Sequence, residues 1–367
     1  MIDGTTYSLP GEAQRALNSL VDRIEARPGD LIDPKELLDR QDSLDVTAML
    51  THLPATVTEN DFVGILKLAL LTESATDTYA AAIDSCADRF DAAWLRRFTD
   101  NVWTPDEKTH YLPYKLILQS LGFDEAELDQ EIRETRERQY VHYGGSTPVH
   151  MTTFGMIQEY LTDNWHGLIG NLLDGSAPAA ASVVRKVKRR ETLHAAWYRD
   201  MTALQVEANP RFVDAIADQV HEFHMPSMSL VPGLQSHGMR WQQSMGADFE
   251  RNFRDLFRYV QEILGNVRLT GQLVLRLAAL KNVSLGPVSG RVLDASLRRM
   301  GGPGYGIVGE AALQRAGLAY MFERTSGKQD SAFAVYSGLH EKVRSLLRDW
   351  IAERLPPPAP TVLGQPL

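Results

Sequence analysis

Cysteine is nearly missing from this 367-residue chain: Cys86 stands alone. No disulfide can form within the chain, and a thiolate-rich metal site is excluded. A reducing, cytoplasmic compartment fits that scarcity. Long apolar runs are also missing, so no segment is expected to span a membrane, and the opening MIDGTTYSLPGEAQ lacks the basic-then-apolar pattern of an export signal. Positive charge is in deficit, with 38 Lys and Arg against 47 Asp and Glu and a formal net charge of -9. That balance argues against general binding to nucleic acid or anionic membranes. Alternating, strand-like patterns are scarce too, which leaves an all-α class. What the chain has in quantity is apolar residues, 44% of the total, enough for a large core.

Helical periodicity dominates from about residue 57 to 227. Apolar or special residues recur at three-and-four spacing through Phe62, Leu66, Ala69, Glu73, Thr76 and Ala80, and again through Trp103, Glu107, His110, Tyr114 and Ile117. A third stripe holds Thr152, Met156, Glu159, Thr162, His166 and Ile169, and a fourth Val184, Val187, Glu191, His194, Tyr198 and Met201. Each stripe therefore carries a glutamate where the pattern calls for an apolar residue. Before these, residues 11–53 predict one or two amphipathic helices broken by ARPGDLIDP, with a helix start at Asp33-Pro34. After them, one amphipathic helix is expected over about 247–280, then the turn GGPGYG, a last helix to about Arg354 and a disordered tail, PPPAPTVLGQPL. The expected division is 1–56, an N-terminal helical segment; 57–280, a helical-bundle domain; 281–354, a C-terminal helical extension; and 355–367, the tail.

The glutamates fall into a duplicated arrangement. Glu73 lies 34 residues before Glu107 and Glu159 lies 32 before Glu191, and both later glutamates open a Glu-x-x-His, with His110 and His194. Such intervals suit a helix, a turn and a return helix. Four helices would then direct four carboxylates and two imidazoles to one interior point, the ligand set of ferritin-like di-iron and di-manganese bundles. Four buried carboxylates without counterions repel one another and are costly to ionise. Two divalent cations cancel them, and mixed oxygen and imidazole ligation suits iron, with manganese the lesser alternative. One Glu-x-x-His is weak evidence, because surface pairing produces it often. Two, each preceded at nearly equal distance by a glutamate on an apolar stripe, are strong.

At these residues the sequence resembles the soluble acyl-carrier-protein desaturases. LLTESATDTY is similar to the family's Thr-Glu helix, WTPDEKTH to its Trp-Thr-x-x-Glu-x-x-His helix, and FGMIQEYLT to its Phe-Gln-Glu-x-x-Thr helix. RRETLHAAWY resembles the second Glu-x-x-His, and EFHMPSMSL the Met-Pro segment after the next helix. The resemblance spans about residues 57–227, more faintly to 280. It implies a dimeric ferritin-like bundle in which two irons, reduced by a ferredoxin-type donor, activate O2 to remove two hydrogens from an acyl chain on an acyl carrier protein. On matching positions, Glu73, Glu107, His110, Glu159, Glu191 and His194 become the metal ligands. Thr162 matches the family's threonine beside the oxygen-binding face; the plain structural alternative is a hydroxyl bonded back to its own helix.

One departure is informative. In the family pattern an acid precedes each Glu-x-x-His glutamate and accepts the free ring N–H of the opposite histidine. Asp106 fills that place in one half, toward His194, but the other half has Arg190, which cannot accept a hydrogen bond. Electron delivery, metal affinity on the His110 side or the reaction outcome is expected to differ accordingly. The alternatives are a di-iron hydroxylase or oxygenase, and a catalytically altered member that only binds an acyl carrier.

Weaker signals have plainer readings. The run Arg185, Lys186, Lys188 and Arg189 could attract an acidic carrier, though such runs are usually solvated helix faces. His166, two turns from Glu159, could approach the cluster as an extra ligand but reads first as a hydrogen-bonded core or surface histidine. His221 and His224 have ligand spacing but no paired glutamates. Gly304, Gly306 and Gly309 spell G-x-G-x-x-G without a preceding strand, which points to a turn rather than a dinucleotide site. Phe62, Met156, Trp165 and Trp197 are candidate core or channel walls, and Cys86 a packing residue.

Overall fold

A computed structural model describes residues 7–29, 31–33, 44–265 and 267–280. The helix start at Pro34, the GGPGYG turn, the last helix and the tail lie outside the described residues. Among the described residues the protein is all-helical, with no strand. No described helix is long and apolar enough to cross a membrane.

The chain opens with α1 (Gly11–Glu25), whose Leu17, Val21 and Ile24 are buried. A long helical arm follows as α2 (Glu59–Ser74) and α3 (Thr76–Arg89). A capping box starts it, with Thr58 accepting from the backbone of Asp61 and Asp61 accepting from that of Thr58. The stripe from Phe62 to Ala80 is therefore interrupted at Ala75, whose ψ of 17 departs from helical geometry. The chain returns through α4 (Ala93–Phe98), a π-helical stretch Thr99–Trp103 and α5 (Thr104–Glu107), then continues as α6 (Leu112–Ser120) and α7 (Glu125–Arg136).

Two long helices form the centre, α8 (Pro148–Leu173) and α9 (Pro178–Ala208). In α8, 20 of 26 residues are buried, so its apolar character runs all round, as befits a helix enclosed by neighbours. Close approach to α9 is set by Gly155, where a Cβ would lie 2.7 Å from the Tyr198 ring. A polar ladder ties the same pair: the Thr202 hydroxyl is 2.8 Å from Thr152 Oγ1, and Gln205 Nε2 donates to that oxygen at 3.0 Å. Behind them lies α10 (Val213–Glu222). The single helix expected over 247–280 is instead two, α11 (Phe249–Leu264) and α12 (Val267–Leu280). Gly265 divides them with φ 65, a left-handed cap that glycine adopts without a Cβ clash.

The N-terminus of α8 carries a neutral histidine. The backbone N–H of Thr147 donates to His150 Nδ1 at 3.4 Å and the Thr147 hydroxyl lies 2.6 Å from the same nitrogen, so Nδ1 serves as an acceptor. Burial pushes its pKa down to about 4, with His142 adding to the effect and Asp218 opposing it. Because the folded value lies below that of the unfolded chain, His150 stabilises the fold fully above about pH 6.5 and loses that contribution as pH falls toward 4, up to about 3 kcal/mol. Denaturant midpoints at pH 7.5 and 4.5 check this: the acid loss in the wild type should exceed that in His150→Gln.

Candidate metal centre

The second stripe does not fold as one helix. The π-helical stretch Thr99–Trp103 adds a residue to the turn before α5, and Pro105 and Pro113 bracket the segment that follows. Neither proline can donate to the helical ladder. His110 sits in the intervening turn, its backbone N–H bonded to the carbonyl of Glu107 at 3.0 Å. The tightened turn carries both side chains inward, toward Glu73 near the end of α2 and Glu159, Glu191 and His194 on α8 and α9.

All six side chains converge. Glu73, Glu107, His110 and Glu191 form one group and Glu107, Glu159, Glu191 and His194 another, each with one ligand atom per residue within 4.8 Å of the rest. Glu107 and Glu191 belong to both groups, which makes them the two shared carboxylates of a paired site. His110 Nδ1 is 2.7 Å from Glu191 Oε1 and 3.4 Å from Glu107 Oε2. Across the centre, His194 Nδ1 is 2.7 Å from Glu107 Oε1 and 3.9 Å from Glu159 Oε2. All six are at least nine-tenths buried.

The surrounding side chains divide into those expected and those not. Asp106 accepts from His194 Nε2 at 2.8 Å and its other oxygen lies 3.5 Å from His110 Nε2, so one aspartate faces both rings. Arg190 is buried and directed at the same carboxylate, Nε to Oδ2 at 2.6 Å. Thr162 combines both of its readings: its hydroxyl lies 3.1 Å from the carbonyls of Gln158 and Glu159 and 3.1 Å from Glu191 Oε2. His166 is a hydrogen-bonded core histidine, with Nδ1 bonded to the Tyr114 hydroxyl. It is also more than that, because Nε2 lies 3.3 Å from Glu73 and 3.5 Å from Glu191. Its seven-residue spacing from Glu159 placed it on the inward face. Trp103, read as a stripe position and as the first residue of the WTPDEKTH motif, donates its indole N–H to Glu159 Oε1 at 2.9 Å.

Other sequence candidates lie elsewhere. Arg185 pairs with Asp174 at 2.7 Å and Lys188 with Asp163 at 2.6 Å, while Arg189 is exposed, so the basic run follows the outer side of α9. His224 bonds to the Glu222 carbonyl and packs against Tyr143, and neither it nor His221 joins a cluster among the described residues. Cys86 is buried in the core, as are Phe62, Met156 and Trp165, and Trp197 packs partly buried against it.

A model of the fatty acid desaturase family matches residues 11–257. The chain belongs to that family. Among curated proteins, none matches it. The family match takes in α1, which packs on the same core, and the family's chemistry is oxidoreduction.

In this desaturase-family chain the centre is compatible with bound cations. Glu107 Oε1, Glu159 Oε2, His166 Nε2 and His194 Nδ1 are buried without a hydrogen-bond partner. Glu107 Oε1 and His194 Nδ1 stand 2.7 Å apart yet are not aligned as donor and acceptor. Neighbouring ligands of one ion, each about 2 Å from it, stand about 3 Å apart, so these atoms fit a shared metal better than each other. Electrostatics agree. Burial raises the Glu73 carboxyl, and burial followed by the charges of Glu107 and Glu191 raises Glu159 well above the usual range. Against its own burial, the hydrogen bond with Glu159 and the charge of His110 drive Glu191 well down. Burial acts downward on His194 and His166, yet the facing carboxylates of Asp106 and Glu107 in one case, and of Glu191 and Glu73 in the other, lift each to about 9. Raised carboxyls beside raised imidazoles mark a cluster whose charge bound cations would neutralise. The donor set fits two divalent ions.

Sharing sets a stoichiometric pattern. Glu107→Ala or Glu191→Ala should lose both ions, whereas Glu73→Ala or Glu159→Ala should lose about one of two, because each terminal carboxylate belongs to a single group. Metal analysis of the purified variants reads this directly. Equal loss from all four would remove the shared-carboxylate arrangement.

Proposed function

We propose that the protein is a di-iron desaturase acting on an acyl chain carried by an acyl carrier protein, as a homodimer supplied with electrons by a ferredoxin-type donor. The observation that carries this reading is the paired Glu and His centre meeting an apolar cleft at Glu159. That cleft holds only about 10 Å3 of free space and is lined by Ala82, Ile83, Tyr140, Met151 and Phe154, with His142, Gln158, Trp103 and Glu159 also on its wall. Its mainly apolar and aromatic lining suits a hydrocarbon once side chains move to admit one.

The chemistry needs an oxidant because an unactivated CH2–CH2 unit has no acidic proton for a base to remove. Two bound irons would supply it from O2. The balance is simple: the substrate gives two hydrogens, O2 takes these with two electrons and two protons, and the products are a C=C bond and two waters. This chain's own groups hold and orient. The aromatic and aliphatic walls seat the chain and exclude solvent, Trp103 fixes the Glu159 carboxylate, and the Thr162 hydroxyl beside Glu191 can hold a proton at the centre. The basic run Arg185, Lys186, Lys188 and Arg189, led by exposed Arg189, is the surface an acidic carrier would meet.

Hydroxylation at the same centre is the second reading, favoured by Arg190 standing where the desaturase pattern has an acid. Reduced, iron-loaded protein given O2 and a panel of acyl carriers separates the two by product mass. Loss of two hydrogens is expected; gain of one oxygen would replace the desaturase reading with the hydroxylase, and absence of any product with every carrier would remove both. Ala82→Trp at the cleft should lower kcat/KM by about tenfold or more while leaving iron content unchanged.

A further inference from the structure

Arg190 breaks the two-fold pattern of the centre where the other half has Asp106, and its geometry shows what the exchange does. The side chain is 5% exposed, and both Nε and Nη2 reach Asp106 Oδ2, at 2.6 and 2.5 Å. The same Nη2 donates to the carbonyl of Pro28, and the guanidinium lies 5.7 Å over the Trp197 ring. Gly29, with φ 81, makes room for it, since a Cβ there would overlap Nη1. The cation is thus built in from three sides rather than trailing to solvent.

Charge counting gives the consequence. Four ligand carboxylates and Asp106 carry five negative charges, and Arg190 reduces the sum to four. Two divalent ions then leave the buried centre neutral, whereas two trivalent ions leave it with an excess of two positive charges. An acid at position 190 would make the sum six and favour the trivalent pair. Holding Asp106 with a cation also weakens its pull on the N–H of His194, which lowers the ring's electron donation to a bound metal.

We propose that Arg190 is a positioning residue that poises the metal pair toward its reduced, divalent state, through Asp106 and His194. The inference rests on the di-iron reading above. In the step concerned the ferredoxin-type donor would be oxidised as it passed one electron to each bound Fe(III), giving Fe(II).

The test is a redox titration of the iron-loaded full-length protein, read from the oxidised cluster's charge-transfer absorption, with iron content measured alongside. At the wild-type midpoint, Arg190→Gln should lower the ratio of reduced to oxidised iron by about tenfold or more, the order expected for removing one buried unit charge that acts through Asp106 in a partly screened interior. Arg190→Lys, which keeps the charge, should stay within about threefold. If Arg190→Gln loses iron while Arg190→Lys keeps it, the cation acts on assembly of the centre rather than on its redox poise, and the proposal is overturned. An unchanged ratio in an iron-replete Arg190→Gln protein overturns it, as does equal loss of iron from both variants, which would make the role one of shape. A wild type that binds no iron would instead sink the di-iron reading.

Discussion

Four carboxylates held against one another in a protein interior are the constraint around which this molecule is arranged. Their mutual repulsion and desolvation oppose folding, and the apolar packing of the long helices must hold the glutamates in place regardless. Hence α8 is enclosed almost all round, and α9 is drawn against it by the close approach at Gly155 and the hydrogen bonds among Thr152, Thr202 and Gln205. Neighbouring imidazoles with raised pKa values offset part of the repulsion, and buried Glu and His atoms without hydrogen-bond partners are compatible with bound cations.

Around that centre the polar partners form two chains that run outward. One passes from Glu73 and Glu191 to His166 and Tyr114. The other passes from both ligand histidines to Asp106, Arg190 and the backbone of Pro28. The second chain ties the N-terminal segment to the core chemistry across 162 residues of sequence. A buried ion pair of this kind adds little to stability on balance, because desolvation offsets much of the attraction. Its effect is felt instead in the charge and orientation of the groups it touches.

The cleft and the centre meet at Glu159 and Trp103, which separates two tasks. Apolar and aromatic walls border the cleft, while the carboxylates and imidazoles gather at the centre beside it. A desaturase-family protein needs both at one point, since the bond to be broken offers no polar handle of its own.

The sequence alone determined the all-helical class and the six converging side chains. An acid repeated in an apolar stripe, twice followed by a histidine three residues on, has few explanations other than a shared interior point. Local signals failed where geometry depends on one backbone irregularity. The break at Ala75, the π-helical stretch before Thr104 and the left-handed Gly265 each redirect a helix that periodicity ran straight through. Only the tertiary structure decided that Glu107 and Glu191 are the shared pair, that His166 faces the centre and that Arg190 turns inward to Asp106. The physical reason is reach: a long or ring side chain can point to solvent or to the core from the same helical position, and contacts from distant segments settle which.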